Sequence, residues 1–408
     1  MHASDLIRAV GPQPQSTVQA WQEHPAWSAV SASKGASVDW SAVLVLALRH
    51  QLSALLWDAL QTAGLSDRVP VRIAEELCFR TELATARHAE LVAALSELAE
   101  AQPEIVSRSV LLKGGALLSE YEKSAYRPMN DFDILFSSED FEEIEPRFPE
   151  LGYWRKESLN GPTYYRARNS PGAPLCMDVH VAGPSKYWRP DSALVRWLTD
   201  ALPFVGPGGI ECRRLSPEFE LLNIVTHLHE HLGSWIHALG DDDVALVRLF
   251  DVELLAQRRQ VNIERCWSLS VEQELQGEFM LGLWAFAEIR GALPASLAPL
   301  APGLELLADV GDMVAVPGGG VAQWSVPLSQ RAFLINRMDL AFEALREGLP
   351  IPDRVKIADP EHLDGWRHWY RDLGALPEYR ERVEDLGARA RERLAGFDPS
   401  WPESRDGK

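Results

Sequence analysis

The chain has 408 residues, of which 46% are hydrophobic, and its formal net charge at pH 7 is −19. This length and composition are sufficient for two or three domains with buried cores. The acidic charge excludes a protein whose whole surface coats nucleic acid, since phosphate binding needs a basic stripe, and it disfavours binding to anionic membranes.

The cysteines and the N-terminus favour a cytoplasmic protein. None of the four cysteines lies in a Cys-x-x-Cys pair, and such sparse cysteines are typical of a reducing compartment. The N-terminus carries Asp5 and Arg8 instead of a signal-peptide core, and the most apolar stretch, residues 42–48, is too short to span a bilayer. We therefore expect a cytoplasmic protein with no membrane partner, and the sequence leaves its oligomeric state open.

Residues 1–105 are predicted to be helical. Leu and Val recur at helical spacing over residues 41–63, and Gly64 follows as a stop signal. A longer helical pattern covers residues 71–101, with Pro103 just beyond its end. Because no chemistry-bearing pattern occurs here, we expect this region to be a scaffold for the residues that follow.

Residues 106–215 are predicted to form a small α/β unit. Short apolar and β-branched runs predict strands, and helical spacing recurs between them. In chain order we predict a strand ending at Leu112, a helix over residues 116–121, a strand over 131–136, a helix over 141–151, a hairpin over 153–168 and a strand over 175–181.

Helical spacing returns after Pro217, so the predicted sheet lies between two helical parts of the chain. The predicted fold class is therefore α+β. We predict helices over residues 219–232, 243–258, 263–289 and 330–346, and a solvated Arg- and Glu-rich helix over 377–395. The predicted organisation is a mixed-sheet core flanked by two helical parts: an N-terminal region (1–105), the core (106–215) and a C-terminal domain (216–408).

Three carboxylates on two predicted strands form the main chemistry-bearing pattern. Asp131 and Asp133 lie two residues apart on one strand, so both side chains point to the same face of the sheet. Paired hard oxygen ligands suit Mg²⁺ or Mn²⁺, and a bridging pair can hold two ions about 3.5–4 Å apart. Asp178 on the later strand is the natural third carboxylate, and His180 shares its strand face. We predict that the three aspartates bind metal and are catalytic.

The segment Lys113-Gly114-Gly115 stands between a predicted strand and a predicted helix. Glycines at such a point let backbone N–H groups approach phosphate oxygens, and Lys113 and Arg127 add positive charge close by. Each feature alone has an ordinary explanation, because a Gly-Gly pair is usually a turn and an acidic strand end is usually solvated. The order strand, Gly-Gly, helix, Asp-x-Asp strand and later Asp is much more specific.

This order resembles the polymerase β-like nucleotidyltransferase superfamily, whose hallmark is a Gly-Gly or Gly-Ser turn followed by Asp-x-Asp and a third acidic strand residue. More narrowly, residues 111–115, residues 127–135 and Asp178-Val179-His180 are similar to a family of uncharacterised nucleotidyltransferases often found in bacterial natural-product and peptide-biosynthesis gene clusters. The intervals before Asp131 and before Asp178 are longer than in minimal members, and the second contains an inserted hairpin.

The resemblance implies Mg²⁺ on the aspartates and an NTP, such as ATP, on the Gly-Gly turn. We expect Lys113, Arg127 and His180 to contact the same nucleotide. The expected reaction moves a nucleoside monophosphate from the NTP to an acceptor and releases pyrophosphate. The acidic chain favours a small-molecule or peptide acceptor, in natural-product biosynthesis, over long nucleic acid.

Two alternatives stay open at this point. A tRNA- or protein-modifying nucleotidyltransferase toxin would carry a basic lane beside the Gly-Gly turn. A non-catalytic regulatory domain would bind nucleotide without needing all three carboxylates. The sequence gives neither the base preference nor the identity of the acceptor.

Four residues of the C-terminal half are candidates for an acceptor pocket: His227, His231, Arg248 and Asp251. His227 and His231 share one helix face, a spacing that can hold zinc, but no third ligand is evident and a pocket-lining or structural role is favoured. The ordinary interpretation of Arg248 and Asp251 is a surface ion pair. Residues 241–243, three consecutive aspartates, are predicted to be a solvated loop or a helix N-terminus in preference to a metal site.

Overall fold

The computed structural model describes residues 2–23, 38–158, 161–169, 174–181, 183, 197–239, 242–316, 320–335 and 382–401. The chain divides into two compact units, which are described separately. The first comprises Met1–Ile224 and Phe250–Leu269, and the second comprises Val225–Leu249 and Ser270–Lys408. The three-part division predicted from the sequence stays a prediction.

Helices form the N-terminal part of the first unit. They are α1 (Ala3–Arg8), α2 (Pro14–Glu23), α3 (Trp40–Arg49), α4 (Ser53–Thr62), α5 (Val71–Ala101) and α6 (Pro103–Arg108). The predicted helix over residues 71–101 is confirmed, and Pro103 begins the next helix, where its missing N–H costs nothing.

The single helix predicted over residues 41–63 is wrong, because α3 and α4 stand in its place. Beyond the end of α3, Gln51 adopts a left-handed φ of 60°, and the N–H of Leu52 donates to the carbonyl of Ala47 at 2.8 Å. This six-to-one hydrogen bond is a Schellman ending, which glycine usually provides. Gly64, with a φ of 67°, ends α4 as predicted. Because Gln is not a stop signal, the first break was not visible in the sequence.

A seven-stranded mixed sheet follows in the same unit, in the order β3-β4-β5-β2-β1-β7-β6. The pairs β2–β5 and β1–β7 are parallel, and the other four are antiparallel. The strands are β1 (Val110–Leu112), β2 (Asp131–Leu135), β3 (Trp154–Ser158), β4 (Gly161–Arg166), β5 (Leu175–His180), β6 (Leu202–Val205) and β7 (Glu211–Arg214). The predicted α+β class, a mixed sheet with helical flanks, is confirmed.

The short helices between the strands include α7 (Lys113–Leu117), α8 (Ser138–Ile144) and α9 (Arg147–Glu150). The continuous helix predicted over residues 141–151 is wrong, because Pro146, which lacks an N–H, separates α8 from α9. Gly152, with a φ of 83°, ends this stretch as predicted.

One face of the sheet builds the core of the first unit. Phe132 and Ile134 of β2 and Met177 of β5 are fully buried, and they belong to one apolar cluster with Leu91 and Leu95 of α5. Side chains alternate between the two faces of a strand, so the aspartates that flank Phe132 lie on the other face. The core therefore fixes the direction in which the carboxylates point.

Mostly helices follow the sheet. They are α10 (Pro217–Leu232), α11 (Trp235–Leu239), α12 (Leu246–Arg258), α13 (Ile263–Glu272), α14 (Gln276–Arg290), α15 (Ala301–Glu305), α16 (Leu328–Arg331) and α17 (Val383–Arg393), with a hairpin of β8 (Met313–Val316) and β9 (Gly320–Gln323). In the described part of the chain, no helix is both long enough and apolar enough to cross a membrane.

Three of the helices predicted in this half differ from the structure. The helix predicted over residues 263–289 is divided at Glu274, which has a left-handed φ of 57°. Of the helix predicted over residues 330–346, the described residues show only the end of α16, at residues 330 and 331. Residues 336–346 lie outside the described residues. α17 confirms the C-terminal helix over Val383–Arg393 but buries Leu386 and Ala390, so it is not fully solvated; residues 377–381 of that prediction lie outside the described residues.

Candidate active site

The strand register brings two of the predicted carboxylates side by side. β2 and β5 pair in parallel with Asp133 opposite Asp178, and the flanking strands place Leu112 and Thr163 in the same row. Directly opposed residues share one face of a sheet. Asp133 and Asp178 therefore lie together on the face away from the Phe132 core.

Asp133 is buried and held by two side chains. Lys113 Nζ donates to its Oδ1 at 2.6 Å, and His180 Nε2 lies 3.0 Å from the same oxygen. The His180 ring is fixed from its other side as well, because Nδ1 lies 3.2 Å from the carbonyl oxygen of Gly183. Within the described part of the chain both partners contact Oδ1, which leaves Oδ2 of Asp133 for another ligand.

Asp178 completes a compact set of ligand atoms. The Thr163 hydroxyl donates to Asp178 Oδ1 at 2.8 Å, and Asp178 Oδ2 lies 3.8 Å from His180 Nε2. Among the described residues, Asp133, Asp178 and His180 each offer one ligand atom within 4.8 Å of the others. Asp131 begins β2 and, by strand periodicity, shares the face of Asp133. The two carboxylates and the imidazole at this spacing fit a divalent metal ion.

The charges of the site are strongly coupled. Burial raises the pKa of Asp131 to about 6, and the neighbouring charge of Asp133 adds to the rise while Lys113 opposes it. Burial and Asp133 likewise raise the pKa of Asp178. Burial also opposes ionisation of Asp133, but the Lys113 ammonium and the His180 ring outweigh it and hold the pKa of that carboxyl below its usual range. Crowded carboxylates with perturbed pKa values are typical of functional sites.

Gly114 and Gly115 lie inside α7, which begins three residues earlier than the helix predicted from residue 116. A Cβ atom at Gly115 would lie 2.9 Å from Cδ1 of Phe132, and one at Gly114 would lie 2.9 Å from Sδ of Met129. The two glycines therefore allow α7 to pack closely against β2 and the segment before it. Their contact with phosphate stays a prediction.

We expect Gly115→Ala to lower the free energy of unfolding by about 1–3 kcal/mol, because the new methyl group meets the fully buried Phe132 ring. Gly114→Ala is the matched control and should cost less, because the side chain it meets, Met129, is flexible. Urea denaturation of both variants measures the difference. A Gly115→Ala protein as stable as the wild type would show that this close packing is absent.

Lys113 has an unusual backbone conformation at this point. Its φ of 48° is left-handed, which costs a residue with a Cβ atom about 1–3 kcal/mol. The conformation accompanies the ion pair of its side chain with Asp133, in which both side chains are about nine-tenths buried. Strained residues of this kind cluster at ligand-binding and catalytic sites.

Arg127 forms a buried ion pair that the sequence did not predict. Its Nε lies 3.0 and 2.9 Å from the two carboxylate oxygens of Asp251, and Nη2 lies 2.9 Å from Oδ2. The Tyr121 hydroxyl donates to the same carboxylate at 2.7 Å. Burial lowers the pKa of Arg127, but Asp251 outweighs it and raises the pKa, with a smaller contribution from Asp131. The Arg127 guanidinium therefore interacts electrostatically with both Asp251 and Asp131.

Two further arginines, missed in the sequence, lie at the start of β2. Arg168 Nη2 donates to the carbonyl of Asn130 at 2.6 Å, and Arg87 Nη1 donates to the Asn130 side chain at 3.2 Å. Burial and the charge of Arg87 lower the pKa of Arg168. Within the described residues, Nε and Nη1 of Arg168 are buried without a hydrogen-bond partner. Two guanidinium groups beside Asp131 form an arrangement that an anionic ligand would stabilise.

The comparison with known families decides which proteins this chain is related to. A family model described as an uncharacterised nucleotidyltransferase matches residues 36–291, more than half of the 408 residues. The chain belongs to this nucleotidyltransferase family. No curated protein and no solved structure matches the chain. The matched residues include α7 and the aspartates of β2 and β5, and the family supports a transferase role. The association with bacterial gene clusters stays a prediction.

The four residues of this nucleotidyltransferase that were predicted to line an acceptor pocket fall in two places. Asp251 lies with Arg127 in the first unit, whereas His227, His231 and Arg248 lie in the second. Arg248 donates to the carbonyl and to Oδ1 of Asp242, both at 2.8 Å. The surface ion pair between Arg248 and Asp251 is therefore wrong, and the acceptor-pocket role stays a prediction.

The expectation that residues 241–243 are solvated is wrong for Asp243. This side chain is fully buried and pairs with Arg331 at 2.9 Å, a partner supplied from 88 residues further along the chain. Asp242 is half-exposed and bound by Arg248, and residue 241 lies outside the described residues. Consecutive acidic residues are expected to be solvated only where no cationic side chain from a distant segment pairs with them.

Proposed function

We propose that the protein transfers a nucleoside monophosphate from an NTP to a small-molecule or peptide acceptor and releases pyrophosphate. The observation that carries the proposal is the parallel register that sets Asp133 opposite Asp178 in a chain of the nucleotidyltransferase family. The location in the cytoplasm and a role in biosynthesis belong to the same proposal.

The donor set of the site fits Mg²⁺ or Mn²⁺. Asp133 Oδ2 and an oxygen of Asp178 are the hard ligands on neighbouring strands, and Asp131 adds a third carboxylate on the same face. A bound divalent ion would supply charge stabilisation for the transferring phosphoryl group and its leaving pyrophosphate.

The remaining side chains have roles that follow from their contacts. Thr163 holds Asp178 by one oxygen and leaves the other free to accept a proton from an acceptor hydroxyl as it attacks the α-phosphorus. Lys113 and His180 keep Asp133 ionised and oriented. In this proposal the Lys113 ammonium also stabilises phosphate charge, together with the backbone of Gly114 and Gly115.

Arg87 and Arg168 are proposed to bind the triphosphate. Both guanidinium groups contact Asn130, directly before the aspartates, and the charge of Arg87 adds to burial in lowering the pKa of Arg168, while Glu90 opposes the shift. A polyanion between them would remove this repulsion and would bond to the buried nitrogens of Arg168. Two arginines suit a triphosphate more than a long nucleic acid, and Arg80 nearby is already paired with Glu76 at 2.6 Å.

Arg168→Met is expected to weaken binding of a non-hydrolysable NTP analogue by about 10–100-fold, because it removes a charge-assisted contact from a partly buried site. Arg147→Met is the matched control, because the Arg147 side chain is 42% exposed and its ion-pair partner among the described residues is its helix neighbour Glu150. Isothermal calorimetry in the presence of Mg²⁺ measures both affinities. An Arg168→Met protein that folds normally and binds the analogue as tightly as the wild type would contradict this role.

The same calorimetry with and without Mg²⁺ tests the proposed function against the non-catalytic alternative. We expect the NTP analogue to bind clearly more tightly when Mg²⁺ is present, because the carboxylate face repels an uncompensated triphosphate. Nucleotide affinity that is the same with and without the metal would favour a regulatory domain and would overturn the proposal.

A further inference from the structure

A second group of potential metal ligands lies in the second unit, where the nucleotidyl-transfer proposal assigns no reaction. His231 stands at the end of α10, His237 lies on α11, and Asp242 follows shortly after. The rings of His231 and His237 are 3.8 Å apart between centroids, and among the described residues these three side chains each offer a ligand atom within 4.8 Å of the others. We call His231, His237 and Asp242 the His-His-Asp cluster.

The distances in the His-His-Asp cluster match those around a small metal ion. Nδ1 of His231 lies 3.6 Å from Oδ2 of Asp242, and Nδ1 of His237 lies 3.5 Å from the same oxygen. Metal–ligand bonds of about 2.0–2.2 Å in a tetrahedron place the donor atoms about 3.3–3.6 Å apart. The three side chains therefore require little movement to close on one ion.

Neighbouring groups orient these ligands. Arg248 donates to Oδ1 and to the carbonyl of Asp242, which leaves Oδ2 facing both histidines. His227 packs edge-on against His231 at 4.6 Å, and its Nδ1 lies 3.5 Å from a carboxylate oxygen of Glu230. Outer partners of this kind fix ligand orientation in metal sites.

Access and proton chemistry are also compatible with metal binding. His231 is buried, whereas the side chains of His237 and Asp242 are 32% and 40% exposed, so an ion can enter and keep a water ligand. Nδ1 of His231 also lies 3.0 Å from the Asp242 carbonyl oxygen, a contact in which the ring N–H donates when no ion is bound. Coordination through this nitrogen requires the ring proton to reside on Nε2 instead, a change of tautomer with no net release of a proton.

We propose that His231, His237 and Asp242 bind a first-row transition-metal ion, Zn²⁺ in the first instance, with a water in the remaining position. Two imidazoles and one carboxylate favour such an ion over the Mg²⁺ expected on the aspartates of β2 and β5. The ion would join α10, α11 and the segment before α12 within the second unit. The spacing of His227 and His231 on α10 could not predict this site, because His237 and Asp242 lie beyond the end of that helix.

The test titrates Zn²⁺ into the metal-stripped full chain in excess Mg²⁺, by calorimetry and by metal analysis after dialysis. All proteins carry Asp133→Asn, so that zinc bound by the nucleotidyl-transfer site does not contribute. We expect one equivalent of Zn²⁺, and a Kd at least about tenfold weaker in His237→Gln and in Asp242→Asn. Asp309→Asn, an exposed acid of the same unit, is the matched control and should leave the Kd unchanged. Co²⁺ substitution should give the visible absorption of a tetrahedral nitrogen and oxygen site.

Either of two results would overturn the site. One is a chain that retains no zinc, and the other is a His237→Gln protein that binds zinc as tightly as its parent. His237 is about one-third exposed, so this variant decides the matter even if Asp242→Asn, which disturbs the Arg248 pair, does not fold. A purely hydrogen-bonded cluster predicts that Zn²⁺ leaves the Tm unchanged in every variant, whereas the metal site predicts a Zn²⁺-dependent increase in Tm that His237→Gln removes. These readouts do not depend on transferase activity.

Discussion

Replacing Asp133 by Asn is expected to reduce the rate of nucleotidyl transfer by at least about 1,000-fold while the fold survives. The side chain lies between Lys113 and His180 and directly opposite Asp178, so it contributes to both the metal ligands and the charge balance of the site. Asn keeps the size of the side chain and one oxygen but loses the charge. Single-turnover release of pyrophosphate measures the effect.

Asp67→Asn is the matched control for this prediction, because it makes the same chemical change on an exposed aspartate of the same unit. Its rate should equal that of the wild type. Circular dichroism and the Tm establish that Asp133→Asn is folded. A folded Asp133→Asn protein with more than about a tenth of wild-type activity would remove Asp133 from the catalytic site.

Replacing Asp251 by Ala is expected to lower the free energy of unfolding by about 3–5 kcal/mol, because it leaves the buried Arg127 guanidinium without its carboxylate. The Tyr121 hydroxyl loses its acceptor in the same variant. Urea denaturation monitored by intrinsic fluorescence measures the loss.

Asp140→Ala is the control, because it breaks an ion pair whose cation, Arg108, is 52% exposed and stays hydrated, so it should cost clearly less than Asp251→Ala although Asp140 itself is 15% exposed. The double variant Arg127→Met with Asp251→Leu should recover most of the stability, since no buried charge is then left alone. An Asp251→Ala protein as stable as the Asp140→Ala protein would show that the pair is not structurally important. Lining of the acceptor pocket, as predicted from the sequence, would then be the main role of Asp251.

The parts of the site that the sequence predicted are those encoded locally. Short apolar runs predicted the strands that carry Asp131, Asp133 and Asp178, and strand periodicity set which of their side chains share a face. The sequence predicted that strand pairing brings Asp178 next to Asp131 and Asp133, but the parallel register of β2 and β5 is an observation of the structure.

The parts that were missed depend on contacts between distant residues. Arg87 is 43 residues from Asn130, and Arg127 is 124 residues from Asp251, so no local pattern marks these partners. The helix breaks at Gln51 and Glu274 use left-handed residues that carry no glycine signal. The edge strand β6 contains Pro203, which weakens the sequence pattern of a strand although an edge position tolerates it.

The fate of the two ends of the triphosphate tests the central claim most directly. NTP labelled separately at the α- and γ-phosphates is incubated with the protein, Mg²⁺ and a fraction of small molecules and peptides, and the products are separated. We predict that the γ label leaves as pyrophosphate and that the α label joins an acceptor, only with Mg²⁺ and not with Asp133→Asn. Release of the γ label as orthophosphate, or its transfer to an acceptor with formation of NDP, would contradict nucleotidyl transfer.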